Sequence, residues 1–305
     1  MNAAAQRRWD AEALWQRLEP LLPGLSVEVL ARTESTNTLL LDRARAQGGW
    51  PDAPITRPGE MDAIGAVQAT PLGRRGADVQ PCLLVAEQQT RGRGRMGRDW
   101  VATAGASLTF SLALPLTPLD WSGLSLAVGL ALADALEPLH SPSDGATPRL
   151  QLKWPNDLWL AEGPGRGRKL GGILIETVCV GQRRMCVVGV GLNVLPQAVP
   201  DLPHGYACLQ ELRPDISAPA ALVCVAEPLV RALLRFQAEG FAPLAAAYAR
   251  RDLLRGQTVN TTLAEVPVGV AEGVDARGAL RVRCGEVHRV VSGEVSVRVA
   301  DGQET

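Results

Sequence analysis

The sequence lacks the features that mark membrane, secreted and metal-bound proteins. No run approaches the roughly 18 consecutive apolar residues of a membrane helix, and residues 1–15 carry charges with no apolar segment behind them, so no signal peptide is visible. The six cysteines are scattered without a C-x-x-C pair, which predicts reduced thiols and neither a zinc site nor a disulfide framework. These absences predict a soluble, cytoplasmic protein with no tightly bound metal.

The sequence also has no excess of charge of either sign and few aromatic residues. Lys and Arg number 31 against 32 Asp and Glu, so the net charge is −1, and aromatic residues make up only 4% of the chain. A nearly neutral molecule is not drawn as a whole to nucleic acid or to an anionic membrane, and few aromatic rings are present to stack bases. We therefore expect neither partner. Any polyanion must be held by a local cluster of positive charge.

The order of apolar patterns indicates an α/β body followed by a small β region. The 305 residues, 46% of them hydrophobic, suffice for one large domain or two unequal ones. A helical stripe is predicted at 9–22, a half-buried strand at 25–31 and a helix after Ser35-Thr36-Asn37. Further strands are predicted at 82–88, 106–114, 150–154, 157–161, 170–180 and 185–194, and further helices at 122–139, 219–238 and 243–254.

Two segments differ from the rest in composition. Residues 50–81 are rich in proline and glycine and are interpreted as a long mobile insertion. From Gly256 onward the chain consists of short Val-rich alternating stretches separated by Gly turns, a pattern typical of a small barrel. The predicted organisation is a helical segment at 1–24, a main body at 25–254 and a small β-barrel domain at 255–305.

The most unusual stretch packs four arginines and three glycines into residues 91–98 and ends at Trp100. Glycine costs entropy to order, so it is a poor choice for a plain surface loop, whereas between arginines it lets guanidinium groups close round an anion. The spacing Gly92-x-Gly94-x-x-Gly97 also matches the dinucleotide fingerprint. The β-like residues that follow offer no helix N-terminus for a pyrophosphate, so we favour an anion clamp of another design.

Four shorter motifs accompany this loop, and each has an ordinary structural explanation when taken alone. Ser35-Thr36-Asn37 reads as helix capping, and Lys153-Trp154-Pro155-Asn156-Asp157 reads as a turn at a strand end. Residues 169–176 (KLGGILIE) place a lysine at the mouth of a buried strand, and residues 189–194 (GVGLNV) form a glycine-rich strand that ends near an amide.

Taken together, in this order and spacing, the five motifs resemble the biotin protein ligase family over about residues 25–300. The resemblance implies an α+β fold, with a mixed sheet and flanking helices of the class II synthetase-like kind, followed by a small SH3-like β domain. Lipoate ligases share the distant fold but are not expected to carry the arginine-glycine run. A lipoate or octanoyl-type acyl ligase therefore stays as an alternative, as does a nucleic-acid-binding module that uses this loop and the β tail.

The resemblance implies a reaction, its ligands and its residues. Biotin and ATP would form biotinyl-5′-AMP and pyrophosphate, and biotin would then pass to one lysine of a biotin carboxyl carrier protein. The residues implied to contact biotin are Ser35, Thr36, Asn37, Gln89, Arg93, Gly94, Arg95, Lys169, Gly172, Gly189 and Gly191. Those implied to contact ATP are Arg93, Arg95, Arg98, Trp100, Lys153, Asn156, Asp157, Lys169 and Asn193, with Trp100 stacking on the adenine. Arg95, Lys169 and Asp157 would be catalytic, and Asp157 would also contact Mg²⁺.

Two departures from the family pattern affect the interpretation. The repressor members place a helix-turn-helix domain before the S-T-N motif, whereas 34 residues with one helical pattern precede Ser35 here, so we expect the form without DNA-reading function. The insertion at 50–81 is long for the family and has no assigned role. The sequence leaves open the identity of the acceptor protein, the general base for acyl transfer, and whether the chain is a monomer or a homodimer.

Overall fold

A computed structural model of the chain describes residues 9–47, 80–138, 147–197, 205–291 and 298–299. Apart from its last two residues, the predicted insertion at 50–81 lies outside these ranges. The chain divides into two compact units. The first comprises Met1–Thr117, Leu174–Gly191 and Ala218–Ala220, and the second comprises Pro118–Ile173, Leu192–Ser217 and Ala221–Thr305. The predicted domain boundaries at 24 and 255 stay predictions.

The secondary structure follows the predicted order. The strands are β1 (Ser26–Leu30), β2 (Cys82–Ala86), β3 (Gly92–Arg93), β4 (Asp99–Trp100), β5 (Ser107–Pro115), β6 (Leu150–Lys153), β7 (Asp157–Gly163), β8 (Arg166–Val180), β9 (Arg183–Asn193), β10 (Thr258–Asn260), β11 (Val268–Val274), β12 (Leu280–Cys284), β13 (Glu286–Val290) and β14 (Arg298–Val299). The helices are α1 (Ala11–Leu18), α2 (Thr36–Gln47), α3 (Leu124–Leu136), α4 (Ala218–Glu239) and α5 (Ala245–Ala249).

Seven of these strands form one mixed sheet in the order β1-β2-β5-β9-β8-β7-β6. Strands β1 and β2 are parallel, while β5 runs antiparallel to β2, and β6, β7 and β8 form antiparallel neighbours. The predicted fold class, a mixed sheet with flanking helices, is confirmed.

In the first unit, strand β1 is buried along its whole length. The alternation of apolar and polar residues predicted a half-buried strand, and that prediction was wrong. Glu28 can be buried because its carboxylate accepts hydrogen bonds from Arg43 Nη1 at 2.9 Å and Cys82 Sγ at 3.4 Å. Helix α2 begins as predicted, with Ser35 Oγ accepting from the Thr38 N–H at 3.4 Å.

In the second unit, the apolar helix α3 is buried on most of its circumference, as its composition predicted. The helical pattern predicted at 243–254 is shorter in the structure, because the chain beyond α5 pairs with strand β6. Leu152 N–H donates to the Arg251 carbonyl at 2.7 Å, and Leu253 N–H donates to the Leu152 carbonyl at 3.1 Å. A chain that completes a sheet edge in this way cannot also continue a helix.

The C-terminal strands form a separate sheet in the order β13-β12-β11-β10-β14, and their pairings are antiparallel. The prediction of a small all-β region after Gly256 is confirmed. Within the described ranges, no helix combines the length and apolar composition that crossing a bilayer requires. All six cysteines are free thiols, and burial raises the pKa of Cys186 to about 12.

Candidate active site

The first unit gathers the S-T-N motif and Gln89 at the start of helix α2. Ser35, Thr36 and Asn37 are all buried. The Gln89 Oε1 atom accepts a hydrogen bond from the Thr36 backbone N–H at 2.7 Å and lies 3.1 Å from Thr36 Oγ1. The motif therefore caps the helix, as its ordinary explanation required, and also presents hydroxyl and amide groups to a shared polar cluster.

Ser111 belongs to this cluster and was missed by the sequence analysis. Its hydroxyl oxygen is buried in strand β5, 2.7 Å from Thr36 Oγ1 and 2.6 Å from Asn37 Oδ1. The signal was present in the sequence, because Thr109 and Ser111 are polar residues two apart in an otherwise apolar strand and therefore share one face of it.

Glu176, the last residue of the KLGGILIE motif, connects the S-T-N segment to the arginine-glycine loop. Its Oε2 atom accepts from Asn37 Nδ2 at 2.9 Å and from Arg93 Nη2 at 2.6 Å. Asn37 Nδ2 also donates to the Leu174 carbonyl at 3.1 Å. Strand β8 thus supplies a carboxylate and a carbonyl to the same amide, and the carboxylate holds one guanidinium group of the loop.

Glycines in strand β9 make room for two larger side chains. A methyl group added to Gly189 would lie 2.8 Å from Asn37 Cγ, and one added to Gly191 would lie 2.7 Å from Trp100 Cζ2. The indole of Trp100 therefore covers Gly191, and no hydrogen-bond partner for its buried N–H is found among the described residues. Any ring that lies on Gly191 must first displace this indole.

The arginine-glycine segment forms a small hairpin. Strands β3 and β4 pair Gly92 with Trp100 and Arg93 with Asp99, and a 3-10 turn over Arg95–Gly97 connects them. A side chain on Gly92 would collide with the Trp100 carbonyl, so the hairpin requires glycine there. Residues 101–106 lead into strand β5 without an intervening helix, which agrees with the rejection of a dinucleotide fingerprint.

The second unit brings Lys169 and Asp157 together. Lys169 Nζ lies 2.8 Å from Asp157 Oδ1, and Gly172 pairs with Asp157 across β7 and β8. A methyl group on Gly172 would lie 3.5 Å from Asp157 Oδ1 and 3.6 Å from Lys169 Nζ, which places the glycine beside the ion pair. Asn156 Nδ2 donates to the Ile173 carbonyl at 2.8 Å.

Two residues predicted to contact ATP have structural partners in the same unit. Asn193 Nδ2 donates to the carbonyls of Ala207 at 3.0 Å and Lys169 at 3.3 Å, so both of its amide N–H groups are used within the protein. Lys153 is buried, with its ammonium 4.1 Å from the centre of the Trp159 ring. This cation–π contact uses one face of the ammonium group.

Arg168, next to Lys169 in strand β8, is a second residue that the sequence analysis missed. Its guanidinium group donates to the Tyr206 carbonyl at 2.6 Å, to Glu211 Oε2 at 2.7 Å and to Glu162. Hydrogen bonds from Arg168 lower the pKa of Glu211. Arg168 therefore secures the Tyr206–Glu211 segment against the strand that carries Lys169.

The structure thus collects the predicted residues into two sets, each within one unit. The first set contains Ser35, Thr36, Asn37, Gln89, Arg93, Trp100, Gly189 and Gly191, and the hairpin also carries Gly94, Arg95 and Arg98. The second set contains Lys153, Asn156, Asp157, Lys169, Gly172 and Asn193. Among the described residues, no group of three His, Cys, Asp or Glu side chains is placed to hold a metal ion.

Two family models match the chain. The biotin/lipoate A/B protein ligase family model matches residues 78–193, and the model of the biotin protein ligase C-terminal domain matches residues 255–298. The first range contains most of both residue sets, and the second covers the C-terminal antiparallel sheet.

Curated relatives and a solved structure are similar along most of the chain. The biotin–[acetyl-CoA-carboxylase] ligase of Mycobacterium tuberculosis is 34% identical over 274 residues, which cover 87% of this chain and 86% of the relative. The bifunctional ligase/repressor BirA of Escherichia coli is 30% identical over 287 residues, or 92% of this chain and 76% of BirA. The biotin protein ligase from Aquifex aeolicus, solved with biotin and ATP, superposes with a TM-score of 0.64 at 24% identity, covering 90% of this chain and 99% of that one.

Proposed function

Because the chain belongs to the biotin protein ligase family and is a biotin–protein ligase, we propose that its two residue sets divide the reaction between them. The first set binds biotin and lends Trp100 and the hairpin arginines to the nucleotide, and the second binds ATP and supplies a cation to the reacting phosphate. The observation that carries this division is the cluster of Thr36, Asn37, Gln89 and Ser111, which offers a neutral array of hydroxyl and amide groups beside Arg93.

The neutral cluster suits the ureido ring of biotin. A ureido group has one carbonyl acceptor and two N–H donors, and no charge, so hydroxyl and amide partners match it better than ions do. The buried Ser35 and Thr36 hydroxyls and the Gln89 amide supply such partners. Arg93 and Arg95 of the hairpin then bind the biotin carboxylate, which lies at the other end of the molecule.

In the first half-reaction, a carboxylate oxygen of biotin attacks the α-phosphorus of ATP, and pyrophosphate leaves. Two anions approach each other, so positive groups must be fixed where charge gathers in the transition state. Lys169 is held beside Asp157 for this purpose, and Arg95 and Arg98 add positive charge. Trp100 stacks on the adenine, and Asn156 and Asn193 contact the nucleotide.

In the second half-reaction, the amine of the carrier lysine attacks the acyl carbon of biotinyl-5′-AMP, and AMP leaves. The mixed anhydride is already activated, so positioning the lysine and removing its proton suffice. We assign Asp157 as the proton acceptor. Its carboxylate would turn from Lys169 to the ammonium group of the carrier lysine and take a proton from it, which leaves the free amine to attack. The acceptor protein is a biotin carboxyl carrier protein.

Magnesium enters with ATP as part of the substrate. Mg²⁺ is commonly held by one or two carboxylates together with substrate phosphates and water. Asp157 fits this requirement, because its carboxylate pairs with Lys169 through Oδ1 and would contact the ion through Oδ2. Bound there, the ion would neutralise phosphate charge.

The test is the exchange of labelled pyrophosphate into ATP, which measures the first half-reaction without a carrier protein. We expect exchange that depends on biotin and magnesium and is absent when lipoate or octanoate replaces biotin. Adding a biotin carboxyl carrier protein should then yield a single biotinylated lysine, identified by mass spectrometry. Exchange supported by lipoate but not biotin would establish the lipoate alternative, and no exchange with either acid would overturn the proposed function.

A further inference from the structure

We propose that Glu176 is a positioning residue for biotin binding, which holds the Arg93 guanidinium group and fixes the orientation of the Asn37 amide. This inference rests on the proposed function, because it assigns Glu176 to the biotin half of the site. The carboxylate contacts both partners at once, Asn37 Nδ2 at 2.9 Å and Arg93 Nη2 at 2.6 Å. Its side chain is 27% exposed, so it is close to the surface without being freely solvated.

The carboxylate, together with the Leu174 carbonyl, also sets the orientation of the Asn37 amide. A carboxylate only accepts, so Asn37 must turn its Nδ2 group toward Glu176 and its Oδ1 toward Ser111. Ser111 has one hydroxyl hydrogen, and it is then committed to Asn37 Oδ1. The Thr36 hydroxyl also has one hydrogen, and its possible acceptors are Ser111 Oγ at 2.7 Å and Gln89 Oε1 at 3.1 Å, so that hydrogen is held within the cluster.

The consequence concerns which groups can accept a hydrogen bond from biotin. With its hydrogen held by Ser111 or Gln89, the Thr36 hydroxyl keeps a lone pair that can accept a hydrogen bond from a ureido N–H. Without the Glu176 charge, only the Leu174 carbonyl would accept from Asn37 Nδ2, so the amide orientation that commits the Ser111 hydrogen to Asn37 Oδ1 would be held less firmly. Glu176 therefore helps to set the direction of the Asn37–Ser111 hydrogen bond, although it does not itself contact biotin.

Glu176 acts on Arg93 through charge. Arg93 is 42% exposed and has five N–H groups, of which Glu176 engages only part. The contact fixes the guanidinium plane and leaves the remaining N–H groups for the biotin carboxylate. A partly exposed ion pair contributes little to folding stability. Removing it should therefore affect biotin binding far more than the stability of the fold, which separates a positioning role from a structural one.

The experiment compares Glu176→Gln, which keeps the size of the side chain and removes its charge, with Glu239→Gln as a matched control. Glu239 also pairs with an arginine, Arg235, at 2.8 Å, on the exposed face of helix α4. We expect Glu176→Gln to raise the KM for biotin about tenfold in pyrophosphate exchange, in line with the loss of a charge-assisted hydrogen bond. The KM for ATP and the melting temperature should stay at the wild-type values, and Glu239→Gln should change none of these.

A mutant cycle with Arg93→Gln tests the proposed coupling. Because Glu176 acts in part through Arg93, the double variant should be less impaired than the product of the two single effects on biotin KM. An unchanged or lower biotin KM in Glu176→Gln would overturn the inference, as would a parallel change in ATP KM, kcat and melting temperature. Either result leaves the proposed function intact if the wild-type protein exchanges pyrophosphate with biotin. A wild-type protein without that exchange would overturn both.

Discussion

The backbone of Gly189 lies against Asn37 so closely that a methyl group on its Cα would come within 2.8 Å of Asn37 Cγ. Asn37 has no room to retreat, because its Oδ1 accepts from Ser111 at 2.6 Å and its Nδ2 donates to Leu174 and Glu176. The glycine is therefore required by the position of the amide, and the two residues form one structural element across α2 and β9.

We expect Gly189→Ala to raise the KM for biotin about tenfold or more, since the methyl group forces Asn37 out of a fully satisfied set of hydrogen bonds. The KM for ATP should change little. Steady-state pyrophosphate exchange, with each substrate varied in turn, measures both values.

The matched control is Gly181→Ala in the turn between β8 and β9. Gly181 has a φ of +59° and nothing within 4 Å of an added methyl group, so alanine there costs about 1 kcal/mol of stability through backbone strain and touches no other residue. If Gly181→Ala raised the biotin KM as much as Gly189→Ala, the effect would reflect stability and not the contact with Asn37.

The sequence predicted most elements of the fold because their patterns are local. Strand β2 is a continuous apolar run, helix α3 and strand β5 are largely apolar, and the S-T-N motif is an N-cap that hydrogen-bonds three residues along the chain. The full burial of β1 was not predictable, because it depends on Arg43 and Cys82 reaching Glu28 from distant parts of the chain. The short α5 likewise depends on pairing with β6, which no local pattern records.

The candidate site, like the fold, could be predicted from the sequence only in part. The motifs identified Asn37, Arg93 and Lys169 as candidates, but not the residues that hold them in place. Glu176 is the last residue of the KLGGILIE motif, but it contacts Arg93, which lies 83 positions away in the chain. Ser111 likewise contacts Asn37, which lies 74 positions away. Such contacts follow from strand order in the sheet, which a single sequence specifies only weakly.

From the Lys169–Asp157 ion pair we predict that replacing Lys169 slows the reaction and changes substrate binding little. We expect Lys169→Met to lower kcat for pyrophosphate exchange about 100-fold or more, because a fixed cation at the reacting phosphate acts mainly on the transition state. Its KM values should change less. Arg166→Met, which removes an exposed positive charge from the same strand, is the control and should retain wild-type kcat. Equal losses of kcat in the two variants would indicate a general effect of charge on strand β8.

Arg251 predicts a large effect on stability. Its side chain is fully buried, and it donates to Asp134 at 2.8 Å, Glu137 at 3.0 Å and the Leu150 carbonyl at 2.8 Å. Removing the side chain leaves the buried Leu150 carbonyl unpaired and empties a fully packed position, so we expect Arg251→Ala to cost about 3–5 kcal/mol in the free energy of unfolding. Urea denaturation measures it. Arg235→Ala, which breaks only an exposed pair on α4, should stay within about 0.5 kcal/mol of the wild type.

From the environment of Asp252 we predict that the free energy of unfolding depends on pH. Burial raises the pKa of its carboxyl group to about 6 from an ordinary value near 3.8, and its Oδ2 atom has no hydrogen-bond partner among the described residues. A raised pKa means that the folded state binds the proton more tightly than the unfolded state. The stability contributed by this group therefore falls as pH rises from about 4 to 6 and stays low above that.

Asp252→Asn removes this titration while keeping an oxygen to accept from the Leu254 N–H, which donates to Asp252 at 3.0 Å in the wild type. We expect the variant to gain stability relative to the wild type by about 1 kcal/mol between pH 5 and pH 8, because the ionised aspartate costs most at the higher pH. Urea denaturation at both values provides the comparison, and Asp215→Asn, at an exposed position, controls for the loss of one negative charge. A difference between variant and wild type that stayed constant from pH 5 to pH 8 would mean that Asp252 is already ionised at pH 5, and that its environment stabilises the charge despite its burial.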